Sequence, residues 1–383
     1  MSEIADRPET IEAIAAVPIV ESLPRSQPFV GPEELARRVG RTTLVRLGAN
    51  ESAFGPSPRA LAAMRDALAD VSFYGDPEVL DVRAALAAKH GCAVQEIAIG
   101  SGIDDVLGLI VRAYLAPGDV TVATRGSYPT YVYHVNGFGA RLETVDYAGD
   151  GTVPLAALAA KARETGARVV YLANPDNPSG TFAERDAIET FVASLPSDAL
   201  LVLDEAYGDF VARETLLRDG VHPRVVRTRT FSKAYGMAGA RIGYAIAPAR
   251  TVATFDKLRH HFGINRIAQR GALAALGDPA YVADVVAEVE RGRAEYVALA
   301  ARLGCGALVS HTNFVCIDLG SRARAEAMVE ALLRRGIFVR KPGLPPLDGF
   351  IRVTVGTAHD RHAFGSAFAE SLAQLATRTS VAG

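Results

Sequence analysis

Short apolar runs recur through the middle of this chain, and each ends in a polar or glycine-containing turn. They are Ile97–Ile99, Val120–Ala123, Arg168–Ala173, Ala199–Leu203, Val225–Thr230 and Gly243–Ala247. Runs this short and this rich in Val, Ile and Leu suit strands buried on both faces. Helical stretches such as Asp104–Leu115 lie between several of them. Buried strands alternating with helices predict an α/β layer fold around a mostly parallel sheet.

The texture changes after Arg250. Tyr281–Arg302 reads as one long amphipathic helix, and Arg324–Arg335 as a second. Phe314–Leu319, Ile337–Arg340 and Ile351–Val355 read as strands, which makes this segment α+β. A chain of 383 residues, 49% of them apolar, is long enough for two domains. The expected division is an N-terminal arm with part of the small domain over 1–45, a large domain over 46–250 and a small domain over 251–383. The arm is irregular to about residue 30, with Pro18, Pro24 and Pro28, and Pro32–Val39 reads as a short helix.

Several function classes fall away. A formal net charge of -2 gives no reason to expect nucleic acid or an anionic membrane as partner. Cys92, Cys305 and Cys316 are odd in number and far apart, so neither a disulfide framework nor a metal site is expected. No apolar run reaches membrane-spanning length, and Glu3, Asp6 and Glu9 make a poor signal peptide. A soluble cytoplasmic protein is the expectation.

In a sheet of this kind the strand ends converge on a ligand crevice. Gly100–Asp105 follows the first run and opens a helix, which suits either an anion cradle or an ordinary turn. Asn174–Thr181 is a polar, proline-rich turn after the third. Asp204, after Leu203, is a carboxylate at the end of an apolar strand, costly unless it meets a cation. Only five lysines occur, and Lys233 alone sits at a strand end among small and hydroxylated residues.

In that order, Asn177-Pro178-Ser179-Gly180, Asp204-Glu205-Ala206-Tyr207 and Ser232-Lys233 with Gly239-Ala240-Arg241 resemble the signature of class I/II aminotransferases, fold-type I enzymes that use pyridoxal 5'-phosphate. Leu47–Pro58 (LGANESAFGPSP) and Tyr74-Gly75-Asp76-Pro77-Glu78 resemble the histidinol-phosphate aminotransferase branch. The resemblance runs from about Gly48 to Gly356. It implies a seven-stranded, mostly parallel sheet sandwiched by helices, beside a smaller α+β domain.

It also implies roles. Lys233 would link covalently to the cofactor and then move a proton as base and acid. Asp204 would pair with the ring nitrogen and keep it protonated. Asn177 and Tyr207 would hydrogen-bond the ring's phenolic oxygen, and Tyr131 would stack on the ring unless it is a plain core aromatic. Ser232, Arg241 and the amides around Gly102, Ile103 and Asp104 would hold the phosphate. Tyr74 would reach the cofactor of a neighbouring subunit in a homodimer. Arg352 matches the arginine that forks onto the substrate carboxylate, unless it is a surface arginine. Asn50 matches a position near the substrate, and Arg340 would reach its distal end or form a structural salt bridge.

The implied reaction is transamination of an amino-acid-type donor, with glutamate and 2-oxoglutarate as the partner pair. Three departures touch this reading. Gln27–Val30 stands where the branch has an arm tyrosine on the substrate phosphate. Arg259–Asn265 (RHHFGIN) replaces a Pro-Pro-(Tyr/Phe)-Asn loop, and Ile103 replaces a Ser or Ala. An aromatic or broad-range aminotransferase is therefore one alternative, with His260 and His261 facing substrate or simply solvent. A decarboxylase of the threonine-phosphate decarboxylase type is another. A non-catalytic sensor of the cofactor would need a DNA-binding segment, for which residues 1–45 are too short and irregular.

Overall fold

The computed structural model describes residues 14–24 and 30–381. The strands are β1 (Val45–Arg46), β2 (Ile97–Gly100), β3 (Val120–Thr124), β4 (Arg141–Val145), β5 (Val169–Ala173), β6 (Leu200–Asp204), β7 (Val225–Thr230), β8 (Gly243–Ile246), β9 (Gly306–Ala307), β10 (Phe314–Asp318), β11 (Ile337–Phe338) and β12 (Phe350–Thr354). The helices are α1 (Pro18–Glu21), α2 (Pro32–Arg38), α3 (Pro58–Ala67), α4 (Leu80–His90), α5 (Ile103–Tyr114), α6 (Pro129–Gly137), α7 (Leu155–Thr165), α8 (Arg185–Ser194), α9 (Ala249–Asp256), α10 (Arg266–Leu276), α11 (Pro279–Arg302), α12 (Arg322–Arg334) and α13 (Ala358–Val381).

Seven strands form the main sheet in the order β2-β8-β7-β6-β5-β3-β4. Neighbours pair in parallel from β7 across to β4, and β8 runs antiparallel to both β2 and β7. The expected fold is therefore present, with one strand that the apolar runs did not reveal. β4 reads Arg-Leu-Glu-Thr-Val and lies at the sheet edge, partly open to water, so it needs no continuous apolar run.

Side chains of the inner strands alternate between the two faces, as the period of two demands. In β5, Val169, Tyr171 and Ala173 pack with α5 and α6, while Val170 and Leu172 pack with α7 and α8. In β6, Val202 joins the first face, and Leu201 and Leu203 join the second. Each large side chain fully buried this way contributes about 1.5–3 kcal/mol. At the other end of the sheet, Ile97, Ile99, Tyr244 and Ile246 pack against α3, α4 and α10.

A further core gathers α11, α12 and α13 around β10 and β12, with Val315, Cys316, Ile351 and Val353 at its centre. β12 and β9 pair antiparallel with β10, and β1 pairs in parallel with β11. The N-terminal strand is thus tied to the C-terminal part of the chain. Val252 and Phe255 of α9, and Ala268 and Ala272 of α10, still pack with the main sheet, so the change to the second core comes at α11.

The carboxyl ends of β5, β6 and β7 open one crevice. Asp204 and Glu205 end the central strand on opposite faces. Glu205 turns away from the crevice into a buried charge network. It accepts from Arg227 Nε at 3.1 Å and Arg229 Nε at 3.0 Å, and all three side chains are at most 5% exposed. Removing one member of a buried ion network strands the others without compensation. Glu205→Ala is therefore expected to lower stability by about 3–5 kcal/mol in urea denaturation; a loss under about 1 kcal/mol would show that this network does not brace β6 against β7.

Candidate active site

The crevice holds a cavity of about 930 Å³ lined by residues from most of the motifs singled out above. Asp204, Lys233, Asn177, Tyr207, Ser232, Arg241, Ile103, Asp104, Asn50, Arg340 and Arg352 all contribute to its wall. They come from β6 and β12, from the segments after β1, β5, β6, β7 and β11, and from the start of α5.

Asp204 forms part of the wall and is 4% exposed. Its carboxylate accepts from Tyr171 Oη at 2.7 Å, from the Ala206 amide at 3.1 Å and from Thr228 Oγ1 at 3.2 Å. Burial pushes its pKa up, and these donors oppose the shift. No arginine, lysine or histidine is paired with it among the described residues. A cation arriving in the cavity would therefore gain an ion pair that the protein itself does not make.

Lys233 follows β7 and lines the same cavity. Burial, then the Arg352 guanidinium, lower its pKa to about 8, while Glu51 and Asp104 act the other way. Its Nζ donates to the Asn50 carbonyl at 3.0 Å and lies 5.6 Å from the centre of the Tyr207 ring. An amine this close to neutrality at physiological pH is a competent nucleophile toward a carbonyl carbon. The Tyr207 hydroxyl accepts from Asn50 Nδ2 at 2.8 Å. Burial raises the Tyr207 pKa to about 12, so it stays a hydrogen-bond donor.

An anion cradle lies at the start of α5. Gly102 caps the helix with φ 86°, and the first-turn amides of Ile103 and Asp104 have no preceding helical turn to bond. The Gly102 amide is committed to Gly100 O at 2.7 Å, so Gly102 contributes space instead of the N–H expected of it. A Cβ there would lie 2.3 Å from the Arg241 guanidinium. Arg241 itself has φ 57° and donates to Ala238 O at 2.9 Å, with Asp104 Oδ2 at 3.4 Å.

Two arginines close the far side. Arg352 NH1 donates to Asn177 Oδ1 at 2.6 Å, and its Cζ lies 5.2 Å from the Phe314 ring centre. Its Nε is buried with no acceptor among the described residues. Arg340 is bridged to Arg352 across β12 and donates to Val30 O at 3.1 Å. Burial, then Arg352, lower its pKa.

One aromatic expectation is corrected. Tyr131 is fully buried, stacks on Tyr171 at 4.5 Å between centres, and is hydrogen-bonded to Thr121 at 2.5 Å. It is a core residue. Tyr128 lines the cavity in its place and donates to Asp104 Oδ1 at 2.7 Å. Pro129 starts α6, so Tyr128 is the N-cap at the crevice, while Tyr131 sits on the first turn and faces the sheet. The signal that could have separated them is Tyr-Pro at a helix start. Thr230 also lines the cavity and was not singled out.

Other expected residues lie elsewhere. Tyr74 is outside this cavity, 75% exposed, with its ring tilted against Phe262 at 4.6 Å between centres. His260 and His261 are exposed on a turn whose Gly263 carbonyl accepts from Ser101 Oγ at 2.7 Å. Gln27–Phe29 lies outside the described residues. Among the described residues no group of His, Cys, Asp and Glu could hold a metal ion, and no helix is long and apolar enough to cross a membrane.

The arrangement fits one kind of ligand well: a planar ring with a protonatable nitrogen beside Asp204, a carbonyl within reach of Lys233, and a phosphate at the start of α5. Comparison with known proteins agrees. The sequence matches the family model for aminotransferase class I and II over residues 42–366. It is 37% identical to histidinol-phosphate aminotransferase 1 of Thiobacillus denitrificans over 374 residues, 95% of each chain. It is 38% identical to the histidinol-phosphate aminotransferase of Symbiobacterium thermophilum over 358 residues, 91% of this chain and 97% of that one. The crystal structure of histidinol-phosphate aminotransferase from Sinorhizobium meliloti, in complex with pyridoxal-5'-phosphate, superposes with a TM-score of 0.91 at 43% identity, covering 96% of this chain and 100% of the other. This chain belongs to the class I and II aminotransferases, pyridoxal-phosphate-dependent enzymes, and within them to the histidinol-phosphate aminotransferase branch.

Proposed function

We propose that the enzyme transfers the amino group of histidinol phosphate, or a close phosphorylated amine, to 2-oxoglutarate. The observation that carries this reading is the pair Arg340 and Arg352, bridged side by side in one cavity with Lys233. Two guanidiniums suit a substrate that presents a phosphate in one half-reaction and carboxylates in the other.

When bound, pyridoxal phosphate stores the amino group between the two half-reactions and draws off the electron pair left at the substrate α-carbon. Asp204 keeps the ring nitrogen protonated by supplying the buried negative charge beside it. Lys233 Nζ takes the proton from the α-carbon and returns it, a task suited to an amine with pKa about 8. Asn177 and Tyr207 hydrogen-bond the phenolic oxygen, and Tyr128 covers the ring. Ser232, Thr230, Arg241 and the first-turn amides of α5 hold the phosphate. Asn50 borders the substrate.

Two assembly features belong to the same proposal. A homodimer, with Tyr74 reaching the neighbouring site, is supported by the exposed apolar run of Leu68, Val71, Phe73 and Tyr74 with Phe262 beside it. A large and a small domain are supported by the separate cores, with α9 and α10 grouped with the large one. A cytoplasmic enzyme suits three free cysteines.

A second reading is an aromatic or broad-range aminotransferase. The outer cavity wall favours it, since Leu23, Val132, Tyr133, Leu142 and Leu344 present an apolar face. A decarboxylase would release carbon dioxide without passing nitrogen to 2-oxoglutarate.

Steady-state kinetics separate these readings. Histidinol phosphate is expected to exceed phenylalanine and tyrosine by more than about tenfold in kcat/KM, roughly 1.4 kcal/mol of transition-state discrimination. The opposite order would make the enzyme an aromatic aminotransferase. Lys233→Ala is expected to lose both the visible absorbance band of the bound cofactor and turnover; wild-type turnover in that variant would sink the assignment. Gly102→Ala is expected to weaken cofactor binding at least about tenfold while leaving the circular dichroism unchanged, because φ 86° strains any side chain there and a Cβ would push the Arg241 guanidinium out of its place. Equilibrium dialysis of the cofactor checks it, and an unchanged Kd would show that the phosphate lies elsewhere.

A further inference from the structure

Lys233 is tied to a residue whose own backbone has an unusual shape. Asn50 has φ 55°, a left-handed conformation that is rare outside glycine, asparagine and aspartate. It is 2% exposed. A non-glycine residue keeps such a conformation where its surroundings over-determine it.

Four groups do so. The Asn50 amide is 3.1 Å from Thr354 Oγ1 and donates to it. The Thr354 hydroxyl in turn donates to Asn50 Oδ1 at 3.1 Å. Asn313 Nδ2 donates to the Asn50 carbonyl at 3.0 Å, the same oxygen that accepts from Lys233 Nζ at 3.0 Å. Tyr207 Oη accepts from Asn50 Nδ2 at 2.8 Å. Thr354 ends β12, two residues beyond Arg352, and Asn313 immediately precedes β10, the partner strand of β12. The Val355 amide closes the corner onto Asn313 O at 2.8 Å.

We propose that Thr354 and Asn313 are positioning residues for Lys233, clamping Asn50 in its left-handed turn so that its carbonyl meets the lysine amine. The proposal rests on the reading of Lys233 as the cofactor lysine. It makes one strand, β12, responsible for two tasks. Arg352 faces the substrate carboxylate, and Thr354 sets the environment of the amine that moves the substrate proton.

The sign of the effect follows from the groups around Nζ. Burial, Arg352 and Arg241 favour the neutral amine, while Glu51 and Asp104 favour the ammonium. The Tyr207 ring adds its electron-rich face. A carbonyl accepting from Nζ also favours the ammonium. Releasing the clamp lets that carbonyl turn away and lowers the proton affinity of Lys233.

Cofactor uptake by the apoprotein reads this directly. The neutral amine condenses with the aldehyde of pyridoxal phosphate and releases water, so the rate climbs with pH through the lysine pKa and then levels. The visible band reports it without any turnover. Thr354→Val and Asn313→Ala are expected to move the midpoint down by about half a pH unit or more, a threefold fall in proton affinity. Thr354→Ser should restore it. An unmoved midpoint in both folded variants overturns the proposal, and so does a slower uptake at an unchanged midpoint, which is the mark of a merely structural role. Should the valine and alanine variants fail to fold, Asn313→Ser decides by the same midpoint. A visible band that survives in Lys233→Ala would instead refute the assignment of the lysine.

Discussion

Two adjacent carboxylates end the central strand of this protein, and their different solutions organise what surrounds them. Taking a carboxylate out of water costs several kcal/mol unless the protein returns charge and hydrogen bonds. Glu205 is compensated from within by Arg227 and Arg229 on one face of the sheet. Asp204, on the other face, receives only neutral donors from Tyr171, Thr228 and the Ala206 amide. The first carboxylate braces β6 against β7. The second leaves its charge for a ligand, which is what a pyridinium ring requires.

The cavity above Asp204 carries the opposite sign. Arg241, Arg340 and Arg352 share its wall with Lys233. Burial, then Arg352 and more weakly Arg241, lower the proton affinity of the lysine, and the three guanidiniums attract anions to the cavity. One wall therefore offers three guanidiniums to an anionic ligand. The left-handed turn at Asn50 joins these parts, because its carbonyl meets the lysine, its side chain meets Tyr207, and its bracing comes from the strand that carries Arg352.

The α/β architecture was legible in the apolar runs because strands buried on both faces cannot spare polar positions. β4 escaped notice because an edge strand can. Asp204, Lys233 and the Asn174–Thr181 turn were legible at strand ends, which the parallel topology must bring to one side of the sheet, whereas Asn177 and Arg241 were named by the family resemblance. Gly102 was found for its location, yet its amide is used within the turn and its contribution is room for Arg241.

By itself, the sequence determined the layer order, the crevice and the residue types that converge there, since these follow from local periodicity and from what must lie at a strand's end. Only the tertiary structure decided which tyrosine faces the cavity, because Tyr128 and Tyr131 differ by less than one helical turn and the start of α6 at Pro129 chooses between them. It alone joined Asn50 to Thr354 and Asn313, hundreds of residues along the chain, because such contacts arise when β10 and β12 pack beside the end of β1. Local pattern carries no information about partners so distant, and the geometry around Lys233 depends on them.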